Sequence, residues 1–282
     1  MKGRLKLLAI AWLVILASVF PKTSWAQTDS AIQSTGVLKV GIRRDSPLLG
    51  FGTQGNWNGY CVDIANALAK HLSRNRIWPL KLRTVTSTTQ SRWDLVRTGE
   101  VHLECGPNTI APENESEYGV RFSAPFFVTA TQILTRPGTS ESDLGNNDKK
   151  IGVIYQTTNE RDVQSIYPSN LVDNTFAQRD EGVNAVIDGD LSGFASDGIL
   201  LLGSANSMNL SQDKDYSLLT PQSDGRPLCA TYGIILPGGT ENARWRDNVN
   251  FFIVNNSEAR RIWGKWFGDV SNTVAEITDA CQ

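Results

Sequence analysis

Apolar and polar positions in the first third of the chain follow first the period of a strand and then that of a helix. Residues 37–42 are a short apolar run and residues 80–85 alternate, and both patterns predict strands. Between them, residues 59–72 place apolar side chains at helical spacing on one face. A short helix from 93 to a stop at Gly99 and a strand over 101–104 complete a β-α-β-α-β order. This order predicts a parallel sheet.

A second series of strands and helices follows the first. The pattern predicts strands over 131–135, 151–155, 193–196 and 231–236, helices after 157–158 and over 180–188, mainly helical sequence over 242–266, and a polar tail to Cys281. We therefore expect lobe 1 over 27–134 and 232–282 and lobe 2 over 135–231. Two extended crossings would join the lobes as a hinge, and a ligand cleft would lie between them.

Residues 1–26 have the layout of an export signal. Three basic residues within the first six positions precede an apolar run of 14 residues over 7–20, and Ser24 and Ala26 supply the small residues of a cleavage site. A membrane anchor is the alternative, but a spanning helix needs about 20 apolar residues. We expect cleavage after Ala26 and a periplasmic mature protein.

The charge of the remaining chain excludes some partners. Removal of residues 1–26 leaves 256 residues with 23 Lys and Arg against 29 Asp and Glu, a net charge of −6. This modest acidity, without a basic cluster, argues against a nucleic acid as partner. His71 and His102 are isolated, so neither a zinc site nor a Ser-His or Cys-His catalyst is supported. We expect no metal and no cofactor.

Four cysteines follow the export signal, at positions 61, 105, 229 and 281. An even number of cysteines in an exported chain favours disulfides. The sequence alone leaves three pairings open, and free buried thiols are the alternative.

Two motifs in the chain match known site patterns but lack the required context. Residues 50–55 fit G-x-G-x-x-G, yet they do not join a strand directly to a helix, so a loop is the better interpretation. Residues 188–193 begin like a calcium loop, but its twelfth position is Ile199 where a Glu is needed. A turn is the better interpretation there.

Polar side chains follow several predicted strands of the first series. Arg43 closes the first strand, Arg92 starts a helix after a hydroxyl-rich segment over 86–91, and Thr109 follows the third strand. The carboxyl ends of parallel strands face one crevice. Two Arg with hydroxyl neighbours would bind a carboxylate through charge-assisted hydrogen bonds, although each Arg alone could be a solvated surface residue.

The second series offers two similar positions. Thr157 and Thr158 follow a strand where a helix should begin, and backbone N–H groups at a helix start favour an anion. Asp197 follows the strand over 193–196 and could accept an ammonium group. For all three residues, helix capping is the structural alternative.

Taken in order, these segments resemble the periplasmic amino-acid-binding proteins of ABC importers, the family-3 solute-binding type. Residues 59–64 (GYCVDI) are close to the signature of that family, although Cys61 stands where an acidic residue is usual. The same segment is similar to the start of the first helix in the ligand domains of ionotropic glutamate receptors. Within the family the glutamate/aspartate-binding branch is the most similar, with counterparts to VGIR (40–43), SRWDLVRTGEVHLECG (91–106), TQILTRPG (131–138), TTNE (157–160) and WGKWF (263–267).

This resemblance implies an α/β, two-lobe type II fold of the periplasmic binding proteins, with two hinge crossings. It also implies roles for single residues. Arg43, Arg92 and Thr89 would meet the ligand's side-chain carboxylate, Thr109 its α-carboxylate and Asp197 its amino group. The whole candidate set is Arg43, Thr89, Arg92, Asn108, Thr109, Thr157, Thr158 and Asp197.

The chain departs from the branch in the loop over 110–117. An Arg there usually binds the α-carboxylate, but its counterpart falls near Asn114 and no Arg lies within the loop. Arg121 is the nearest substitute. Pro107 stands where a small hydroxyl residue is common and cannot donate a backbone hydrogen bond, and Glu181 stands where the branch tends to have His.

For the cysteines, the resemblance implies one disulfide between Cys229 and Cys281, as in glutamate-receptor domains. Cys61 would then pair with Cys105.

The resemblance implies a binding protein that captures a polar, acidic amino acid and delivers it to a permease in the inner membrane. A monomer is the default for the family. Two other functions stay open. Some proteins of this fold class are dehydratases or lyases, in which case Glu113 or Glu181 could act as general acid. The third hypothesis is a ligand-sensing subunit that docks on a membrane receptor.

Overall fold

The computed structural model describes residues 28–53, 55–74, 77–144, 149–268 and 271–281. The predicted export signal over 1–26 lies outside the described residues. Within the described ranges, none of the helices has both the length and the apolar character needed to cross a bilayer.

The described residues up to Phe122 form four helices and seven strands. In chain order they are α1 (Thr28–Thr35), β1 (Val37–Arg43), β2 (Asp45–Ser46), β3 (Gly50–Thr53), β4 (Asn56–Asn58), α2 (Tyr60–Ser73), β5 (Lys81–Ser87), α3 (Arg92–Arg97), β6 (Leu103–Cys105), α4 (Pro112–Tyr118) and β7 (Val120–Phe122). The β-α-β-α-β order expected from the sequence is confirmed, because β1 pairs in parallel with both β5 and β6.

The second part adds a long strand and a further sheet. Its elements are β8 (Phe127–Thr135), α5 (Glu141–Leu144), β9 (Ile151–Ile154), α6 (Thr158–Ile166), β10 (Val172–Phe176), α7 (Arg179–Ile187), β11 (Gly193–Asp197), α8 (Gly198–Ser207), β12 (Ser217–Leu219), β13 (Gln222–Ser223) and β14 (Arg226–Pro227). The chain ends with β15 (Cys229–Tyr232), β16 (Ile235–Pro237), α9 (Ala243–Asn255), α10 (Ser257–Phe267) and α11 (Ser271–Ala280).

Two main sheets form the cores of the two lobes. The first has the order β5-β1-β6-β16-β7, and the second has the order β10-β9-β11-β8-β12. In the first sheet β5, β1 and β6 are parallel, and β16 is antiparallel to β6. In the second sheet β10, β9 and β11 are parallel, and β8 is antiparallel to β11. The sequence therefore predicts an α/β fold with two lobes correctly, and both sheets point the carboxyl ends of their parallel strands at the same cleft.

Helices cover both faces of each sheet, which is why the central strands β6, β9 and β11 are buried along their whole length. In the first lobe, α2, α9 and α10 bury Leu68, Phe252 and Phe267 on one face, while α3 buries Trp93 and Val96 on the other. In the second lobe, α7 and α8 cover one face and α6 covers the other. Each lobe thus has its own core, as the chain length suggests.

The two crossings are adjacent antiparallel strands. β8 and β15 pair from Phe127↔Tyr232 to Ala130↔Cys229, and β8 then continues into the second sheet. The boundaries proposed at 134/135 and 231/232 fall within these strands and stay a prediction. The single late strand expected over 231–236 is wrong, because the chain leaves β15 after Tyr232 and begins β16 at Ile235.

Four other local predictions are also wrong. Residues 50–53 of the G-x-G-x-x-G segment form strand β3, which pairs with β4, so this part of the segment is not a loop. The expected loop after β6 contains the short helix α4, and the polar tail contains α11. Strand β10 was missed because its sequence, VDNTF, has three consecutive polar residues and no clear alternation.

Two disulfides fix the ends of these elements. Cys61 at the start of α2 is bonded to Cys105 at the end of β6, and Cys229 of the returning crossing is bonded to Cys281 behind α11. Both pairings are those that the resemblance implies. The first bond holds the end of β6 directly before the residues that enter the cleft.

We expect the double variant Cys61→Ala/Cys105→Ala to lose about 2–4 kcal/mol of the free energy of unfolding, because the bond limits the entropy of the unfolded chain. The two residues are 44 positions apart and fully buried. Urea unfolding of the variant and the natural chain, both oxidised, would measure the loss. Equal stabilities, or free thiols in the intact mass of the natural chain, would contradict the assignment.

Candidate functional site

A cavity of about 460 Å³, including its solvent-open part, lies between the carboxyl ends of the two sheets. Seven of the eight predicted site residues line it: Arg43, Thr89, Arg92, Thr109, Thr157, Thr158 and Asp197. The other lining residues are Pro107, Asn114, Ile154, Asn159, Arg179 and Leu200. Asn108, the eighth predicted residue, is fully buried beside the cavity.

Arg43 is placed by the end of β1 and held by two neighbours. Its Nε and Nη2 donate to the two carboxylate oxygens of Asp45 at 3.0 and 2.8 Å, and Nη2 also donates to Thr89 Oγ1 at 2.8 Å. Gly106 leaves space for the Arg43 side chain, since a Cβ at that position would lie 2.5 Å from Arg43 Cγ.

The partner of Arg43 is strongly acidic. Burial raises the pKa of Asp45, but the charge and hydrogen bonds of Arg43 and the charge of Arg179 outweigh burial and bring it to about 2. The stabilisation from this ion pair is therefore complete above the ordinary Asp pKa of 3.8 and is lost as the pH falls through about 2.

Arg92 begins α3 and reaches the segment after β6. Its Nη1 donates to Asn108 Oδ1 at 3.0 Å, and Asn108 Nδ2 donates to Glu104 Oε2 at 2.6 Å. Burial first, and then repulsion by Arg43, lower the pKa of Arg92 to about 10. Asn108 therefore orients Arg92 from behind and does not line the cavity itself.

Glu104 lies beneath the two arginines of the first lobe. Its Oε1 accepts a hydrogen bond from Ser87 Oγ at 2.6 Å, and the residue is fully buried. Burial raises its pKa, while Ser87, Arg43 and Arg92 act in the opposite direction. Glu104 is a buried carboxyl group that interacts with both guanidinium groups and that the sequence did not single out.

Asp197 provides the acidic group of the second lobe. It ends β11 and occupies the N-cap position of α8, but its carboxylate makes no cap hydrogen bond. Oδ1 accepts from Asn159 Nδ2 at 3.0 Å, and Oδ2 accepts from the hydroxyl of Tyr232. Burial raises the pKa of Asp197, and the hydrogen bonds from Tyr232 and Asn159 oppose that rise.

The threonines line the cavity from both lobes. Thr157 is the N-cap of α6 and accepts from Glu160 N at 3.3 Å, so the structural alternative of capping holds for this residue as well. Thr158 Oγ1 lies 3.4 Å from Thr109 Oγ1 of the first lobe. The lobes are therefore in contact across the cavity.

Arg179 is the most important residue that the sequence did not reveal. It is buried, its Nε donates to Ser196 Oγ, and its Nη1 donates across the lobes to the main-chain oxygen of Asp45 at 3.0 Å. Arg179 follows β10 at the carboxyl end of the sheet, as Arg43 closes β1. Because β10 was missed, the same argument could not be applied to Arg179.

Besides Asn108, three residues considered from the sequence lie outside the cavity lining. Arg121 is about half-exposed on β7 and approaches Glu115 at 3.7 Å. Glu113 is exposed and forms an ion pair with Arg161 at 3.1 Å, and Glu181 is exposed on α7. Asn114 does line the cavity, so the position of the absent loop Arg faces the site as expected.

The model of the bacterial extracellular solute-binding proteins, family 3, matches residues 38–269 of the chain. The chain belongs to this family. The two-lobe fold and the cleft between the sheets agree with this membership. The resemblance inferred from the sequence is therefore confirmed at the level of the family.

Two similar proteins are named for the binding of glutamate and aspartate. The chain is 32% identical over 136 residues to the glutamate/aspartate import solute-binding protein of Escherichia coli (strain K12), an alignment that covers 47% of this chain and only 44% of that protein. It is 27% identical over 252 residues to the L-glutamate/L-aspartate-binding protein of Pseudomonas aeruginosa, covering 85% of this chain and 80% of that protein.

Solved structures support the fold. An ancestral amino-acid-binding protein, a precursor of cyclohexadienyl dehydratase, has a TM-score of 0.70 at 23% identity and covers 86% of this chain and 100% of its own. A histidine-bound substrate-binding protein of an ABC uptake transporter from Streptococcus pneumoniae has a TM-score of 0.71 at 14% identity, with 86% and 97% coverage. At these identities the likeness concerns the fold alone.

We expect Tyr232→Phe to destabilise the unliganded protein by about 1.5–3 kcal/mol, because it removes a donor from the buried carboxylate of Asp197. The loss should shrink as the pH falls below the pKa of Asp197, since a protonated carboxyl carries no charge to stabilise. Urea unfolding at several pH values would measure it.

Tyr155→Phe is the matched control, because Tyr155 is an exposed tyrosine. It should leave the stability unchanged at every pH. A pH-independent loss in Tyr232→Phe, or an equal loss in both variants, would show that the hydroxyl does not stabilise an ionised Asp197.

Proposed function

We propose that this protein is an extracytoplasmic solute-binding protein that captures a polar, acidic amino acid and delivers it to an ABC permease. The observation that carries the proposal is the separation of charge in the cleft. Arg43 and Arg92 enter from the first lobe, while the carboxylate of Asp197 enters from the second. A zwitterionic ligand with a carboxylate and an ammonium group complements this arrangement.

Asp197 is the proposed partner of the ligand's ammonium group. Each carboxylate oxygen already accepts one hydrogen bond, from Asn159 and Tyr232 respectively. An ionised carboxylate accepts about four hydrogen bonds, so it can still accept from an ammonium group. Because Asp197 is buried, a positive ligand group would also offset the cost of its desolvation.

Arg92 is the proposed partner of a ligand carboxylate. Its Nη1 is engaged by Asn108, but its Nε is buried without a hydrogen-bond partner among the described residues. A buried N–H without a partner is costly in the unliganded protein. The Nε–Nη2 edge is the part of a guanidinium that binds a carboxylate through two parallel hydrogen bonds.

The second carboxylate of an acidic amino acid would be bound by uncharged donors and one further cation. Thr109 and Asn114 line the cavity from the first lobe and Thr158 from the second. Thr158 begins α6, so the first backbone N–H groups of that helix are available for an anion. Arg179 adds the positive charge that the loop over 110–117 lacks.

Closure around the ligand follows from this division of contacts. Ligand groups that interact with both lobes favour the closed arrangement over the open one. The paired crossings β8 and β15 form the hinge of this proposal. The export signal over 1–26, cleavage after Ala26, the periplasmic location, the permease partner and the monomeric state are parts of the same proposal.

An enzyme on this fold is less well supported. The relatives with assigned functions are solute-binding proteins. The two acids that could have served as general acid, Glu113 and Glu181, are exposed and do not line the cavity.

Asp197→Asn should weaken L-glutamate binding by about 30-fold or more, because losing one partner of a buried charge pair costs about 2–5 kcal/mol. Glutarate, which is glutamate without the amine, is the matched control ligand, and its affinity should not fall. Calorimetric titration of both proteins with both ligands would test this. If the natural chain binds glutarate as tightly as glutamate, Asp197 does not bind the ligand's amine.

A further inference from the structure

Most of the hydrogen-bonding capacity of Arg43 is used within the protein. A guanidinium carries five N–H groups. One on Nε and one on Nη2 meet the carboxylate of Asp45, and the other on Nη2 meets Thr89 Oγ1. The Nε–Nη2 edge, which would bind a ligand carboxylate through two hydrogen bonds, is therefore occupied by a carboxylate of the protein itself.

Asp45 does not line the cavity itself, but it contacts two residues that do. Arg43 lines the cavity, and the side chain of Arg43 is only 3% exposed, whereas that of Asp45 is 34% exposed. The main-chain oxygen of Asp45 also accepts the hydrogen bond from Arg179 of the opposite lobe. Asp45 thus contacts two of the three arginines of the site, one through its side chain and one through its backbone.

Asp45 adds a negative charge to a site with three positive side chains. Arg43, Arg92 and Arg179 line the cavity, and Asp45 forms an ion pair with Arg43. Without Asp45 the site would carry one more uncompensated positive charge. A cleft with low-dielectric walls amplifies such a difference, so the excess would favour the more negative of two ligands of the same shape.

We propose that Asp45 is a specificity-determining residue that restrains the preference of the site for a second ligand carboxylate. The inference rests on the proposed function, because it assigns the charge class of the ligand in the same cleft. Asp45 occupies the carboxylate-binding edge of Arg43, so Arg43 contributes little to discrimination between an acidic side chain and its amide. Arg92 and Arg179 then contact the ligand.

The test compares L-glutamate with L-glutamine, which have the same shape and differ in one charge. Asp45→Asn removes the charge and leaves the main-chain oxygen that Arg179 contacts. In this variant the ratio of the glutamate affinity to the glutamine affinity should rise about tenfold or more over that of the natural chain, the size of one charge-assisted hydrogen bond. Calorimetric titration would measure both affinities.

Three further variants make the result specific. Asp247→Asn removes the same charge from an exposed position on α9 and should leave the ratio unchanged. Asp45→Glu keeps the charge and should keep the ratio close to that of the natural chain. Asp45→Ser replaces Asp45→Asn if that variant does not fold, with the same expected rise.

Glutarate separates this inference from the proposed function. If neither amino acid binds any variant, the proposed function is wrong, and the role of Asp45 is then decided by glutarate, which should bind Asp45→Asn more tightly than the natural chain. An unchanged ratio for the amino acids, or an equal rise in Asp247→Asn, would overturn the inference. So would the absence of tighter glutarate binding when no amino acid binds.

Discussion

The structure depends on the need to balance charges that are withdrawn from water in the cleft. An isolated charge is very costly in a protein interior, so each buried charge requires a partner or a set of hydrogen bonds. Arg43 has Asp45, Arg92 has Asn108 with Glu104 behind it, and Asp197 has hydrogen bonds from Asn159 and Tyr232. The charges and hydrogen-bonding groups that remain unpaired after these internal contacts are the ones that a ligand can bind.

The fold brings these groups together because both sheets direct the carboxyl ends of their parallel strands at one crevice. Residues that are distant in sequence thereby become neighbours, as Arg179 and the Asp45 carbonyl show. The same contact and that between Thr109 and Thr158 cross from one lobe to the other. A ligand that adds contacts on both sides therefore acts on the equilibrium between open and closed lobes as well as on the site.

Much of the fold could be predicted from the sequence, because apolar runs at helical and strand spacing determine which faces are buried. β1, α2, β5 and β11 follow such patterns closely. β10 could not be predicted in this way, because its sequence is polar and it forms a strand through its pairing with β9. Because β10 was not predicted, Arg179, which follows it, was not identified either. Arg43, Arg92 and Asp197 were identified by their positions after strands and at a helix start.

Local sequence could not show which partners these residues choose. Asp45 lies two residues from Arg43, but its bidentate contact depends on the turn into β2. Glu104 looked like an ordinary strand residue, and its contacts with Ser87 and Asn108 follow from burial at the end of β6. The resemblance correctly indicated the family and the cleft, while the distribution of charge within the cleft required the structure.

The central claim is that the cleft binds an acidic amino acid through both its carboxylate and its ammonium group. Thermal unfolding of the mature protein with glutamate, aspartate, their amides, neutral and basic amino acids, and dicarboxylates without an amine tests it most directly. A ligand at 100 times its dissociation constant adds about 2.7 kcal/mol to the free energy of unfolding. The account predicts the largest stabilisation with glutamate or aspartate, and no stabilisation by any α-amino acid would contradict it.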